Sequence, residues 1–451
     1  MKITFKNILL NNTLFILFFS LISVATVNAD SKVEKPNFVV IVADDVSWDS
    51  FGCTGSKHAL TPNIDKLSTQ ALHFNRMYTA VSQCTPARAE LYSGLYPHNN
   101  GVLGNKAKKK VPKVKSVTDH LVPLGYKVGI TGKGHSLKKS ENLEIIKGFP
   151  QGCNSSIGEY SLDGVSSFIK TAQKENTPFC VFICSIHAHH PWDLGNKKHF
   201  QKDKLKLPDH YIDTPLTREA LIRHAAEVEE LDNQVGDTMK MLKQMKLEEN
   251  TVLIFLSEQG TAMPRGKWTI YDYGNRALGL VRWTGKITPE RTDNVAQYCD
   301  FLPTFVELAG GKAEGFDGKS MKDLWFGKTK VHREFAFLSN TSPVWQRSIV
   351  TKEYKLIWNP VRNGKYIWNN YSNDDKFFSG PWKEWLIKAK NDSAAKKKID
   401  LCIRPDELEL YRIDKDPYEM NNLASSPKYS ERTQQMLAQL KNYMKKTGDS
   451  K

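Results

Sequence analysis

The chain has 451 residues, 40% of them apolar and 25% charged, a formal net charge of +15 and seven cysteines. This excludes a disordered chain, a collagen-like fibre and a small disulfide scaffold, and the length suits one large domain with an appendage or two domains. The basic surplus points to an anionic partner (nucleic acid, anionic lipid or an acidic polymer) or to a lysine-rich solvated surface.

Lys2 and Lys6 precede an apolar stretch from Leu14 to Val27 that ends in Val27-Asn28-Ala29. A basic start, a short apolar run and small residues at −3 and −1 predict a secretory signal peptide over residues 1–29. The run is shorter than the roughly 20 apolar residues a spanning helix needs, so no stable membrane insertion is expected. The expected protein is exported, periplasmic or secreted. Losing residues 1–29 removes two lysines and no acids, which leaves +13.

Phe38 to Ala43 is a continuous apolar, β-branched run ending in Asp44-Asp45, the pattern of a strand buried on both faces. Helical patterns follow at Asn63–Leu72 and Pro86–Leu95. Lys106 to Lys115 holds six lysines and reads as an exposed loop, or as a grip on an anionic polymer. Lys127–Thr131, Phe179–Ser185 and Val252–Ser257 repeat the buried-strand design, with a long helical pattern at Arg218–Leu247 before the last. Strands alternating with helices predict an α/β layered domain with a mostly parallel sheet. In such sheets functional groups gather beyond the C-terminal strand ends. Here those ends carry Asp44-Asp45, Gly132-Lys133-Gly134-His135, His187-Ala188-His189-His190 and Glu258-Gln259.

After about residue 330 short aromatic runs, Tyr354–Trp358 and Glu409–Ile413, predict a small antiparallel sheet, and Ser430–Lys445 a terminal helix. The expected division is a large domain over 30–330 and a C-terminal subdomain over 331–451. The cysteines show no framework spacing and no CxxC pair, so metal binding by cysteine pairs is not expected. Alternation puts Cys180 and Cys184 on one face of a strand as buried free thiols.

Ser82-Gln83-Cys84-Thr85-Pro86-Ala87-Arg88 opens a helix, with Cys84 near its N-cap and Pro86 in its first turn. A helix N-terminus offers free N–H groups and a positive dipole end, which acidify a nucleophile and welcome an anion. The plainer reading is a buried cysteine before a helix.

The blocks around this motif decide between the two. Thr61-Pro-Asn-Ile-Asp65, Cys84-Thr-Pro-Ala-Arg88 and Leu91-Tyr-Ser-Gly-Leu-Tyr-Pro-His-Asn-Asn-Gly101 resemble the type I sulfatase family. The resemblance continues through Asp44-Asp45, Gly132-Lys133-Gly134-His135, Gly266-Lys267-Trp268 and the stretch Glu409 to Leu423, in family order. It is most similar to the branch of heparan N-sulfatases and bacterial polysaccharide sulfatases. The resemblance implies an alkaline-phosphatase-like layered domain, with a large mostly parallel mixed sheet between helices and a smaller antiparallel subdomain.

It also implies that a formylglycine-generating maturation enzyme oxidises Cys84 to formylglycine, whose hydrate is the nucleophile. One hydroxyl attacks sulfur, and the other later collapses the hemiacetal to expel sulfate. Arg88 would hold the diol, and Lys133, His135 and Lys267 match positions that contact the sulfate or the diol. Aligning Pro191 with the family's Pro-His-x-Pro picks His189 as partner of the leaving group; a gap-free alignment picks His190. Asp44, Asp45 and an oxygen of residue 84 would bind one divalent cation, in this family usually calcium.

One departure stands out. The family usually has Ser-Asp-Asn-Gly or Ser-Asp-His-Gly after its late strand, and this chain has Ser257-Glu258-Gln259-Gly260. Glu258 and Gln259 keep oxygen donors one methylene further out, so both remain candidate metal ligands. The expected substrate is a sulfated polysaccharide or its oligosaccharides, algal such as ulvan, or glycosaminoglycan. Alternatives are a phosphonate or phosphate monoester hydrolase on the same scaffold, or a non-catalytic binder of anionic polysaccharide. Nucleic acid is not an expected partner, since export and the lack of a binding module oppose it.

Overall fold

The run Phe38-Val-Val-Ile-Val has no polar side chain to turn toward water, and it forms β1 (Asn37–Val42) within an eight-stranded sheet. In the computed structural model the described residues are 35–105, 113–137, 140–147, 159–341, 344–361 and 379–449. The other strands are β2 (Leu72–Tyr78), β3 (Lys127–Gly132), β4 (Leu143–Ile146), β5 (Phe179–Cys184), β6 (Thr251–Leu256), β7 (Arg276–Arg282) and β8 (Glu290–Gln297). Their order is β4-β3-β5-β1-β6-β7-β2-β8. Only β7 runs against its neighbours, so the sheet is mixed and mostly parallel.

Alternation splits the sheet's side chains between two cores. Val39, Ile41, Val181 and Ile183 pack with Leu231 and Val235 of the long helix Pro215–Gln244. Val40, Phe182 and Ile254 pack on the opposite face with Leu91 and Phe305. Each such side chain contributes about 1.5–3 kcal/mol on burial. Cys180 and Cys184 share this second face with Phe182, and both are free thiols, as expected.

A second sheet, order β12-β11-β10-β9, is antiparallel throughout: β9 (Ala336–Asn340), β10 (Gln346–Val350), β11 (Tyr354–Trp358) and β12 (Leu408–Arg412). Met436, Leu440 and Met444 of the terminal helix Ser430–Thr447 cover it. Residues 35–451 belong to one compact unit.

Several elements differ from expectation. The first helix is Pro62–Thr69, not Asn63–Leu72, because Leu72 already begins β2. The motif helix runs Cys84–Ser93 and stops at Gly94, whose φ of +68° and whose contact with Phe316, 2.6 Å from a built Cβ, leave no room for a side chain. Helices Gly380–Lys388 and Ser393–Ile403 carry no clear period in the sequence; the first docks on the long helix through Trp385, whose Nε1 donates to Thr217 Oγ1 at 2.8 Å. Residues 1–29 and Lys106 to Lys110 lie outside the described residues. Among the described residues no helix is long and apolar enough to cross a membrane.

Candidate active site

β1 ends at Val42, and the next residues, Ala43 to Asp45, are fully buried at the rim of the sheet. Asp45 is held with φ +60°, left-handed for a residue with a side chain. Across the rim Glu258 follows β6 with φ +68°, and Trp268 adopts φ +69°. Conformations of this kind cost about 1–3 kcal/mol each and persist where surrounding structure over-determines them. Here the Asp45 N–H donates to Glu258 Oε2 at 3.3 Å, and the Trp268 N–H to the Ser82 carbonyl at 2.8 Å.

Lys133 leaves the end of β3 through Gly132. A Cβ on Gly132 would lie 1.9 Å from the Cys184 carbonyl oxygen, so the strand can deliver Lys133 to the rim only with glycine there. Lys133 Nζ then donates to Asp44 Oδ2. Lys267 Nζ donates to Asp45 Oδ2 at 2.6 Å, and the Gln259 amide to Asp45 Oδ1.

The motif helix brings the remaining groups. Cys84 is its first residue, following Gln83 in an extended conformation (φ −143°, ψ 138°), and it is buried. One turn on, Arg88 Nε donates to Glu258 Oε1, while its other nitrogens donate to the Lys133 carbonyl at 2.8 Å and the Ala43 carbonyl at 3.0 Å. Arg88 is 1% exposed, so each of these bonds is dry and fixed.

Three carboxylates (Asp44, Asp45, Glu258) thus face three cations (Arg88, Lys133, Lys267). Burial alone would strip the lysines of their protons, but Asp44 outweighs it at Lys133 and Asp45 at Lys267, and both ammonium pKa values are raised. Burial pushes the Glu258 carboxyl up against the pull of Arg88, with Asp44 adding to the rise. His135 is driven down to about 3 by burial and by Lys133 and Arg88, so its imidazole is neutral. His189 is also held well below its usual value, by burial and then by Lys133 and Lys267. Its Nδ1 donates to the His190 carbonyl at 2.6 Å, which leaves the lone pair on Nε2, 3.7 Å from Asp45 Oδ2. His190 instead packs edge-on against Trp192.

Two oxygens in this ring have no donor. Asp44 Oδ1 and Gln259 Oε1 are buried and unpartnered among the described residues. Ligand atoms of Asp44, Asp45, Cys84 and His189 lie within 4.8 Å of one another. A buried orphan acceptor costs about 1–3 kcal/mol, and both are hard oxygens of the kind a divalent cation takes. The residues therefore fit such an ion, with Gln259 rather than Glu258 offering the spare oxygen.

The sequence-predicted residues Asp44, Asp45, Arg88, Lys133, Glu258, Gln259 and Lys267 come together in this one hydrogen-bonded ring, and Cys84 and His189 cluster beside it. His135 joins it through the field of Lys133 and Arg88. Two contributors went unmarked. Asn105 reaches Cys84, its Nδ2 3.4 Å from Sγ, while its Oδ1 takes the Thr85 N–H at 3.0 Å. His224 of the long helix lies with Nε2 3.1 Å from the Asp45 carbonyl. Neither sits in a local pattern; only the fold places them.

A family model described as Sulfatase matches residues 36–311. The chain is similar to an ulvan-active sulfatase of Formosa agariphila, at 30% identity over 92% of this chain and 81% of that protein. It is also similar to N-sulphoglucosamine sulphohydrolase of Homo sapiens, at 23% identity over 93% and 91% of the two chains. Among solved structures, one in complex with its substrate D-glucosamine-2-N,6-O-disulfate superposes with a TM-score of 0.70 at 17% identity, over 92% of this chain and 99% of the other. That last likeness concerns the fold.

Proposed function

The chain belongs to the sulfatase family and is a sulfuric ester hydrolase, and from that premise we propose that it cleaves sulfate groups from a sulfated polysaccharide or its oligosaccharides, an algal polymer such as ulvan or a glycosaminoglycan. The observation that carries the reading is the ring itself: Cys84 at a helix N-terminus beside three buried cations and two orphan oxygens.

Family membership implies that residue 84 is converted to formylglycine, whose hydrate supplies the nucleophilic oxygen, and we assign that conversion to a separate maturation enzyme. A divalent cation, which we take to be calcium because the free donors are hard oxygens, would be held by Asp44, Asp45, Gln259 and residue 84 and would neutralise charge on the sulfate.

The chain's own groups do the rest. Lys133 and Lys267 stay charged and fixed by Asp44 and Asp45, so they can bind sulfate oxygens without reorganising. Arg88, tied to Glu258 and two carbonyls, holds residue 84 in place and offsets negative charge there. The neutral His189 presents Nε2, which can take up a proton and pass it to the departing sugar oxygen. His135 is a neutral polar contact for the anion. Overall, water adds across the ester S–O bond, giving an alcohol and sulfate.

The charge count supports a two-part ligand. Three carboxylates against three cations leave the ring's own side chains formally neutral, so a 2+ ion creates an excess that an anionic sulfate ester offsets. On the sequence pattern we also infer that residues 1–29 direct export, that residues 30–330 form the catalytic domain, and that 331–451 form the C-terminal subdomain. The test is to assay matured protein on sulfated oligosaccharides of defined structure, an aryl sulfate and an aryl phosphate. Sulfate release from the sugars is expected; release of phosphate without sulfate, or of neither, would overturn the reading.

A further inference from the structure

Six residues past Pro191 the chain turns basic. Lys197, Lys198, Lys202, Lys204 and Lys206 stand against the single acid Asp203, and all five lysines are exposed. Lys197 leans on Glu219 at 3.5 Å, but Lys198, Lys202, Lys204 and Lys206 make no ion pair among the described residues. Such a run repels itself and carries more positive charge than Asp203 and Glu219 offset.

The run leads into a cleft of about 360 Å³, large enough for a small ligand, whose lining includes Lys206, Lys57, His58, Trp48, Asp49 and Tyr418. The cleft mixes three kinds of surface. Trp48 and Tyr418, stacked with ring centroids 6.2 Å apart, supply aromatic surface, with the Arg276 guanidinium 3.8 Å over the Trp48 ring. Asp49, which accepts the Tyr418 hydroxyl at 3.0 Å, supplies an acceptor, and the buried Trp48 Nε1 is a donor with no partner. Lys57 and Lys206 supply exposed cations, with Asp209 as a second acid in the lining. A sugar ring offers C–H groups and hydroxyls for the aromatic surface and Asp49, and a sulfated one adds an anion for Lys57 and Lys206. His224 also lines this cleft and contacts the Asp45 carbonyl, so the cleft lies one hydrogen bond from the proposed cation-binding residue.

We propose that this cleft is a second carbohydrate-binding site, which holds a sulfated sugar unit of the same polymer whose target sulfate lies at residue 84, with Lys197 to Lys206 guiding the chain toward it. The proposal rests on the functional reading above and deepens it: the enzyme grips a polyanionic chain rather than a single sugar.

The test is Lys57→Glu/Lys206→Glu in matured protein, both positions being exposed and outside the catalytic ring. KM for a long sulfated polysaccharide rises about tenfold at low salt, kcat changes little, and kcat/KM for an aryl sulfate stays within about twofold of wild type. In a Cys84→Ala background, affinity electrophoresis shows retardation by the sulfated polymer, weakened in the double variant and absent with the chemically desulfated polymer. Polymer KM equal to wild type, an equal loss on aryl sulfate, or equal retardation by desulfated polymer would overturn the inference. Failure of wild-type protein to release sulfate from either substrate would instead contradict the functional reading itself.

Discussion

Two of the buried charge clusters among the described residues share their chemistry and are finished differently. Under the second sheet, Lys355 is fully buried with its Nζ 2.9 Å from Asp272 Oδ1 and 3.0 Å from Glu419 Oε1. Tyr78 donates to Asp272 Oδ2 at 3.0 Å, and the Asp272 N–H to Glu419 Oε2 at 2.6 Å. Asp272 Oδ1 and Oδ2 and Glu419 Oε2 accept hydrogen bonds there, and Glu419 Oε1 rests on its ion contact with Lys355 alone. At the rim of the large sheet, Asp44 Oδ1 and Gln259 Oε1 have none. The first cluster is an anchor whose two carboxylates share the charge of Lys355. The second holds acceptors in reserve, and its remaining need is what a cation and a sulfate would meet.

The contrast can be broken experimentally, and the largest effect falls at residue 84. Cys84→Ala should reduce sulfate release to background in an end-point assay, while the melting temperature moves by only a few degrees. Retained turnover would remove residue 84 from the account.

Next come two lysines that separate the clusters. Lys133→Met should lower kcat/KM by about 10²–10³-fold, the usual loss when one preorganised charge donor is removed. Lys355→Met should instead cost about 3–5 kcal/mol in urea unfolding, because Asp272 and Glu419 are left buried without their cation. Its activity per folded molecule should hardly change. If both variants lost stability equally with calcium present, the distinction between anchor and reserve would fail.

Removing the cation is the third lever. Chelation should lower the melting temperature of wild-type protein, and calcium should restore it, with about 2.7 kcal/mol expected at a hundredfold excess over Kd. Calcium should raise Lys355→Met by the same increment and leave its deficit against wild type unchanged. A melting temperature indifferent to chelator would contradict the role given to the two orphan oxygens.

The smallest effect concerns pH. Glu90, on the motif helix, is pushed up to about 8 by burial, against the pull of the Ala80 and Cys299 N–H groups. Its folded pKa lies above the unfolded value of 4.5, so the folded state binds the proton more tightly. That stability is fully present below pH 4.5 and is lost as pH rises toward 8. Glu90→Gln should flatten the decline in urea midpoint between pH 5 and pH 8. Parallel profiles for the two proteins would contradict the assignment.

Much of this is legible in the sequence because the central strands are buried on both faces. Continuous apolar runs such as Phe38 to Val42 and Phe179 to Cys184 announce themselves, and the polar residues that end them mark the rim. β2 and β8 were not legible, since Leu72–Tyr78 mixes His73, Asn75 and Arg76 with apolar residues and β8 opens on Glu290-Arg-Thr-Asp-Asn. Their identity as strands comes from pairing across the sheet. The site divides along the same line. Asp44, Cys84, Arg88 and Lys133 stand in local motifs, whereas Asn105 and His224 act across 21 and 179 residues of chain. The cleft beside Trp48 is likewise assembled from distant segments, and only its lysines could have been seen in the sequence.

The central claim is that residue 84 is the reacting group, and one mass measurement tests it most directly. In protein purified from its native host, the peptide carrying residue 84 should be about 18 Da lighter than its cysteine form, the change from thiol to aldehyde. An intact thiol in native-host protein that nevertheless releases sulfate would contradict the account.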